Sequence, residues 1–371
     1  MTPLVIPAAV LSRARRAADA FRQLTGVAVD AAELLTGRAA LLGLSPQGRI
    51  STGGATRLIR SRDGWCALTL SRQDDVDAVP ALLESDAVGD DPWPAVQRWV
   101  AGNASADVTA RARLLGLPVA ALGETGAAPS RIKTLGAAAA PGEPTGLLVA
   151  DLSSMWAGPL CGQLLARAGA TVVKVETLGR PDGTRAGPSA FFDWMNSGKL
   201  SYAFDFDEPS GLRRLLEAAD VVIESSRPAA LARRGLGPTD IAPRDGRVWL
   251  RVTGHGADGE RANWVAFGDD AAVSGGLVGG TDSEPVFCGD AIADPLTGLH
   301  AALSGVESLS RGGGELIELS MAAVAATYAA DDRAAETRCS AMPAPSGPAS
   351  KLGADNTVVE QLLTERRLAS C

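Results

Sequence analysis

Two aspartates, Asp290 and Asp294, stand four residues apart in VFCGDAIADPLTGLHAAL, residues 286–303. A carboxylate in a turn between an apolar strand and an apolar helix can cap the helix or attack an electrophile. Asp294 precedes Pro295, and the run LTGLHAALSGVESL behind it has helical spacing. That order predicts Asp294 as the N-cap and Pro295 as the first helical residue, where a missing N–H leaves nothing unpaired. Asp290 is one turn too early for capping, follows Gly289, and has no evident local partner. An Asp with an ordinary pKa of about 3.9 is ionised at neutral pH unless deeply buried, so Asp290 is a candidate nucleophile. Gly289 beside it permits close approach to backbone N–H groups, and the coming helix start lies within one turn. The plainer reading, an Asp bonded to its own turn, stands beside this one.

The whole chain restricts the partners. At 371 residues it is long enough for two domains and should bury roughly 75% of its unfolded surface. Hydrophobic residues make up 46% and charged residues 21%, the balance of a globular protein. A net charge of −8 and the lack of a basic-aromatic stripe argue against nucleic acid as a partner. Cys66, Cys161, Cys288, Cys339 and Cys371 are scattered without a CxxC, and His255 and His300 are the only histidines. Neither a zinc site nor a Ser-His-Asp triad is expected, and the cysteines read as buried small hydrophobes in a reducing compartment. No apolar stretch reaches membrane-spanning length, and the cytoplasm is the default location. The opening VIPAAVLSRARRAADAFRQL is basic and amphipathic and reads as a surface helix rather than a transit peptide.

The elements that must position the aspartates fall into two groups. After a first helix (1–26), residues 27–122 hold the strand pair ATRLIRS and GWCALTL, then helices in PWPAVQRWVAG and ASADVTARARLLG. This reads as a small α+β domain. The Gly/Ala/Pro-rich stretch 123–146 reads as a linker. From 147 to 330 apolar strands (GLLVADLS, TVVKVE, SYAFDF, DVVIES, RVWLRVTG) alternate with helices, among them GPLCGQLLARAGA opening at Pro159 and PAALARRG. Such alternation implies βαβ units and a Rossmann-like, doubly wound parallel sheet. A Pro/Ala-rich connection (331–348) leads to a helical C-terminal piece (349–371).

The unit VADLSSMWAGPLCGQLLARAGATVVKVE has the strand-turn-helix-strand order of a dinucleotide fold, with Glu176 where a ribose would be held. Its turn lacks GxGxxG, and Trp156 crowds the place where a pyrophosphate needs bare backbone, so the scaffold is expected without NAD. The same run, followed by GTR (183–185) and NSGKLSYAFDF (196–206), resembles the opening of class III CoA-transferases. This family includes formyl-CoA transferase, carnitine CoA-transferase and α-methylacyl-CoA racemase. VVIESSRPAALARRGLG, RVTGHGADG and FCGDAIADPLTGLHAAL are similar to the next segments in family order, the last to the one that carries the catalytic aspartate. STGGATRLIRSRDGWCALTLSRQDD (51–75) resembles text that usually follows the large domain, so the small domain stands at the front here.

The resemblance implies an enzyme that moves CoA between carboxylic acids through an aspartyl anhydride and an aspartyl-CoA thioester. Asp290, assisted by Gly289, takes the nucleophile's place. It also implies an acyl-CoA thioester and a carboxylic acid as small-molecule substrates, no tightly bound cofactor, and an interlocked homodimer. Carried over by position, the CoA contacts are Met155, Trp156 and Ala157; Phe204, Asp205 and Asp207; Ser225, Ser226, Arg233 and Arg234; and Phe267. Arg233 fits a phosphate, since a guanidinium matches phosphate oxygens in a fork. Val265 and Phe267 stand where formyl-CoA transferase has Lys and Tyr. The racemase branch needs a His for proton transfer, and its counterpart here is Phe267. Racemisation and CoA binding without catalysis are the alternative readings.

Overall fold

The computed structural model describes residues 2–329 and 335–369. Its centre is a seven-stranded sheet in the order Arg131–Thr134, Glu315–Ser320, Val248–Thr253, Val221–Glu224, Leu148–Asp151, Thr171–Thr177, Leu200–Phe204. Neighbours run parallel. The exception is the Arg131–Thr134 edge strand, antiparallel to Glu315–Ser320. The sheet is thus mostly parallel with helices on both faces, as the strand–helix alternation predicts.

Strand periodicity sorts the side chains between those faces. Val149, Val248, Leu250 and Val252 enter a core with the helices Ala8–Thr25, Ala157–Arg167 and Ala293–Ser310. Their neighbours Leu148, Ala150 and Trp249 enter a second core, with Ser210–Ala218 and the C-terminal helix Asn356–Ala369. Gly298 brings two helices of the first core together: a Cβ there would lie 2.6 Å from the Ala157 carbonyl oxygen. That close approach carries the start of Ala293–Ser310 to the start of Ala157–Arg167.

The front segment forms an antiparallel sheet of Thr56–Arg60, Trp65–Thr69 and Val119–Ala121. One face, with Ile59, Cys66 and Leu68, packs on Val96, Val100 and Val108 of the helices Trp93–Gly102 and Ser105–Leu114. The other face, with Leu58, Trp65 and Ala67, packs on Val273 and Val278. The front sheet therefore sits against the segment that follows Phe267.

Several local expectations change. The helix expected to open at Pro159 opens at Ala157, and PAALARRG supplies only the four helical residues Ala229–Ala232. The stretch read as a linker contributes the edge strand Arg131–Thr134. Within the Pro/Ala-rich connection, Glu336–Cys339 pairs antiparallel with Leu4–Pro7. Positions 331–334 of that connection, and Cys371, lie outside the described residues.

Candidate active site

The site begins where Leu148–Asp151 ends. This strand lies between Val221–Glu224 and Thr171–Thr177, from which the chain winds in opposite directions. Such a switch point opens a crevice at the carboxyl ends of parallel strands. The two turns meet there, with Ser154 N–H donating to Ser225 Oγ at 3.2 Å. Met155 follows with φ of 73°, a left-handed conformation unfavourable for a side chain with a Cβ. Buried charge holds it: both Asp182 oxygens accept Met155 N–H at 3.1–3.2 Å. Lys174 Nζ reaches Asp182 at 2.9 Å and also donates to the Ser153 carbonyl. Burial works against the Asp182 charge, but Lys174 and the Thr184 N–H hold its carboxyl below the ordinary range.

Beside this turn lies a cavity of about 260 Å³. Met155, Trp156 and Phe191 give the cavity an apolar wall, and Phe267, Gly268, Asp269, Ala291 and Asp294 also line it. Arg38, Ser51 and Gly53 come from the front segment. The Arg38 guanidinium carbon lies 5.6 Å from the ring centroids of both Trp156 and Phe191, which themselves meet edge-to-face at 5.3 Å.

The two aspartates exchange their expected places. Asp290 is fully buried, with 0% exposure. Its Oδ1 accepts from Arg38 Nη1 at 2.6 Å, and its Oδ2 is buried without a hydrogen bond. Burial raises its pKa, while the Arg38 charge and hydrogen bond oppose the rise. It is not the bare carboxylate that the sequence suggested. Gly289 does not offer a free N–H either, since it donates to the Val5 carbonyl at 3.0 Å. Thr52 Oγ1 occupies the Gly289 carbonyl at 2.8 Å.

Asp294, expected to cap its own helix, does not. Ala293–Ser310 has Ile292 at its N-cap, so Asp294 and Pro295 already lie inside the first turn. The Asp294 carboxylate lines the cavity and faces the backbone N–H groups of Ala157 and Gly268, the first residues of two other helices. Burial is the main force raising its pKa, to about 7; Asp290 adds to the rise, and Arg38 and the two N–H groups oppose it. Asp269 also lines the cavity, and its Oδ1 accepts from Ala291 N–H at 3.1 Å. Burial, then the Asp290 and Asp294 charges, push Asp269 up to about 7 against the pull of Arg38. Ala291, at the hinge of this constellation, has φ of 41°, strain of a kind that concentrates at functional sites.

Of the other sequence-selected residues, Met155, Trp156 and Phe267 line the cavity, and Ala157 lies behind it with its N–H toward Asp294. Ser225 and Ser226 are half-buried at the switch point, Ser226 Oγ without a partner. Phe204, Asp205, Asp207, Arg233 and Arg234 are not in the cavity wall. Phe204 stacks edge-to-face on Phe206 at 4.9 Å, and the Arg234 guanidinium lies 4.1 Å from the Phe206 ring. Asp205, Asp207 and Arg233 are exposed. Neither histidine borders the cavity. His300 pairs with Tyr328 at 2.8 Å, and burial together with Arg113 and Arg261 drives His255 down to about 3. Sequence reasoning missed Arg38 and Asp269. The available sign for Arg38 was a lone cation in AAELLTGRAALL, a helix otherwise almost wholly apolar.

Residues 145–358, more than half of the chain, match the family model described as CoA-transferase family III. This chain belongs to CoA-transferase family III. Among family members, a succinyl-CoA–D-citramalate CoA-transferase of Chloroflexus aurantiacus is 32% identical over 189 residues, 46% of this chain and 47% of that protein. A succinyl-CoA:glutarate CoA-transferase of Mus musculus is 35% identical over 172 residues, 42% of this chain and 39% of that protein. The chain spans about half the length, or less, of the curated relatives it matches. A solved structure of a hypothetical protein from Mycobacterium tuberculosis is 29% identical, with a TM-score of 0.46 over 51% of this chain and 57% of that one. The family III segment contains Met155, Trp156, Asp269 and Asp294; Arg38, Ser51 and Gly53 lie outside it. No helix among the described residues is long and apolar enough to cross a membrane.

Proposed function

We propose that this protein moves coenzyme A between carboxylic acids, with Asp294 rather than Asp290 as the nucleophile. The observation that carries this reading is a cavity-lining carboxylate that faces the N–H groups of two helix starts at the switch point of a parallel sheet. Attack by Asp294 on the thioester carbonyl forms an acyl–oxygen bond and releases the CoA thiolate, leaving a mixed anhydride. The thiolate then attacks the aspartyl carbonyl, so the first acid departs as its carboxylate and Asp294 becomes an enzyme-CoA thioester. An incoming carboxylate repeats the steps in reverse.

The two backbone donors serve this chemistry by fixing one carboxylate orientation and favouring its ionised form. Trp156, Met155, Phe191 and Phe267 exclude water from an anhydride that water would otherwise hydrolyse. For the CoA handle, Ser225 and Ser226 stand beside the Met155 turn. Exposed Arg233 and Arg234, with Phe206, offer phosphate and adenine contacts farther along the carboxyl edge of the sheet. Relatives are named for succinyl-CoA with citramalate or glutarate; only the reaction class is carried to this chain. A homodimer in the cytoplasm completes the proposal, and sedimentation of the purified protein tests its assembly.

The deciding experiment is intact-mass analysis after exposure to a panel of acyl-CoA thioesters, followed by hydroxylamine or borohydride trapping and peptide mapping. The expected result is modification at Asp294. An unmodified protein, or a label at Asp290, overturns the assignment.

A further inference from the structure

Asp269 feels the charges of Asp290 and Asp294, Asp294 feels that of Asp290, and all three carboxyls feel a single guanidinium, Arg38. The other titratable groups nearby are Arg72, Asp75 and Asp270. Arg72, 5.9 Å from the Phe267 ring, is paired with Asp75, and Asp270 is bound to Thr69 Oγ1 and Phe267 N–H. Among the described residues no group of three or more His, Cys, Asp or Glu side chains is arranged to hold a metal ion. Three negative charges against one positive charge in a largely dehydrated site is an arrangement that sheds charge by taking up a proton.

Geometry decides which carboxyl takes it. Asp290 faces the guanidinium at 2.6 Å, which favours its charged form. Asp294 faces two backbone N–H groups, at Ala157 and Gly268, both favouring the anion. Asp269 accepts only Ala291 N–H, through Oδ1, and has two carboxylates as neighbours. Its second oxygen is the one available to a molecule in the cavity that Asp269 lines. Asp269 and Asp294 also meet each other's turns: Asp294 faces Gly268 N–H, next to Asp269, and Asp269 accepts Ala291 N–H, in the turn leading to Asp294.

We infer that Asp269 is a second catalytic carboxyl, the one of the three that holds a proton, and that its hydroxyl donates a hydrogen bond to the acyl oxygen as Asp294 attacks. This rests on the CoA-transferase reading. In the step, the bond from Asp294 to the acyl carbon forms and the carbon–sulfur bond breaks, its electron pair leaving with CoA. The Asp269 proton stays on Asp269 throughout, close to the oxyanion while negative charge is there. The same proton removes one negative charge from the cavity, so an incoming carboxylate meets less repulsion when Asp294 carries CoA as a thioester. The active form of the pair carries one proton, which makes transfer bell-shaped in pH around neutrality.

Two measurements test it. First, infrared difference spectra taken just below neutrality should show one protonated-carboxyl component in wild type that the Asp269→Asn variant lacks, beside the band of buried Asp270 that both keep; a carboxyl region unchanged by Asp269→Asn overturns the inference. Second, Asp269→Ala should lower kcat about 100-fold, the cost of one oxyanion donor, with KM little changed. Asp269→Asn, whose amide can donate and whose Oδ1 can still accept Ala291 N–H, should recover most of that loss and abolish the alkaline fall. Thermal melts of both variants separate lost structure from lost chemistry. An Asp269→Ala variant within about threefold of wild type overturns the catalytic role. A wild-type protein that transfers none of the acyl-CoA panel overturns the parent reading and this role with it, while the infrared band still reports where the proton sits.

Discussion

The Arg38 guanidinium stands 2.6 Å from the Asp290 carboxylate, across 252 positions of sequence. The pair ties the Ala31–Leu42 helix of the front segment to the turn that precedes Ala293–Ser310. Asp290 is fully enclosed, whereas the Arg38 side chain keeps 22% of its surface exposed and forms part of the cavity wall. The arrangement uses one aspartate to hold a cation at the cavity and leaves the other, Asp294, facing the cavity itself.

This asymmetry sets what each half of the pair is worth. Arg38→Met leaves a buried carboxylate without its counter-charge and should cost about 3–5 kcal/mol of stability. Asp290→Asn leaves a guanidinium that can still reach water and should cost less. The Arg38→Met/Asp290→Asn double variant should be more stable than Arg38→Met alone. Urea denaturation of the four proteins as a double-mutant cycle measures the coupling. Equal losses for the two single variants with no coupling would show that the pair holds nothing together.

Asp294→Asn keeps the shape of the side chain and an oxygen acceptor, but it removes the attacking charge. Transfer should fall by at least about a thousandfold, and no covalent acyl adduct should form. CoA affinity should change little, because Arg233, Arg234 and the switch-point serines are untouched. Asp290→Asn, by contrast, should still form the adduct. Single-turnover assays with mass detection separate the two residues, and the reverse pattern would return the nucleophile to Asp290.

What the sequence revealed follows from how local each signal is. Apolar runs between residues 147 and 330 carry the strand and helix periods themselves, so the mostly parallel sheet was legible there. Asp294 was misread because Asp-Pro before an apolar helix is a strong local capping pattern. Its actual partners, Ala157 and Gly268, lie in other helices and are joined to it only by tertiary packing. Asp290 looked unpartnered for the same reason, since Arg38 is distant in sequence. The strand Arg131–Thr134 was hidden in a Gly/Ala/Pro-rich stretch because an edge strand needs little apolar pattern of its own; all but one of its residues are exposed.

Gly268 is where the site tolerates no side chain. A Cβ there would lie 2.2 Å from the Ala291 carbonyl oxygen and 2.3 Å from Asp294 Oδ2. Gly268→Ala must therefore displace Asp294 from the backbone N–H groups that it faces. The expected outcome is a kcat loss larger than tenfold, because small misplacements of reacting groups are costly, with destabilisation of about 1–3 kcal/mol. Steady-state kinetics and thermal melts check both parts. Unchanged kcat in a folded variant would mean that the Asp294–Gly268 contact is unimportant for transfer.

Asp270 offers a test through pH rather than shape. It is fully buried, with Oδ1 bound to Thr69 Oγ1 at 2.9 Å and Phe267 N–H at 3.0 Å, and Oδ2 without a partner. Burial raises its pKa to about 8, against the opposing pull of those two donors. In the unfolded chain the same group titrates near an ordinary value of about 3.9. Between these two pH values the folded protein therefore holds a proton that the unfolded chain has released, and stability declines as pH rises. The contribution is complete below about pH 4 and lost once pH passes about 8. Asp269 and Asp294 add declines of the same sign that end near 7. Asp270→Asn removes one titrating group while keeping an Oδ1 acceptor, so its melting temperature should fall less steeply from pH 5 to pH 8 than that of wild type. Parallel melting curves across that range would mean that Asp270 does not carry its proton into the fold.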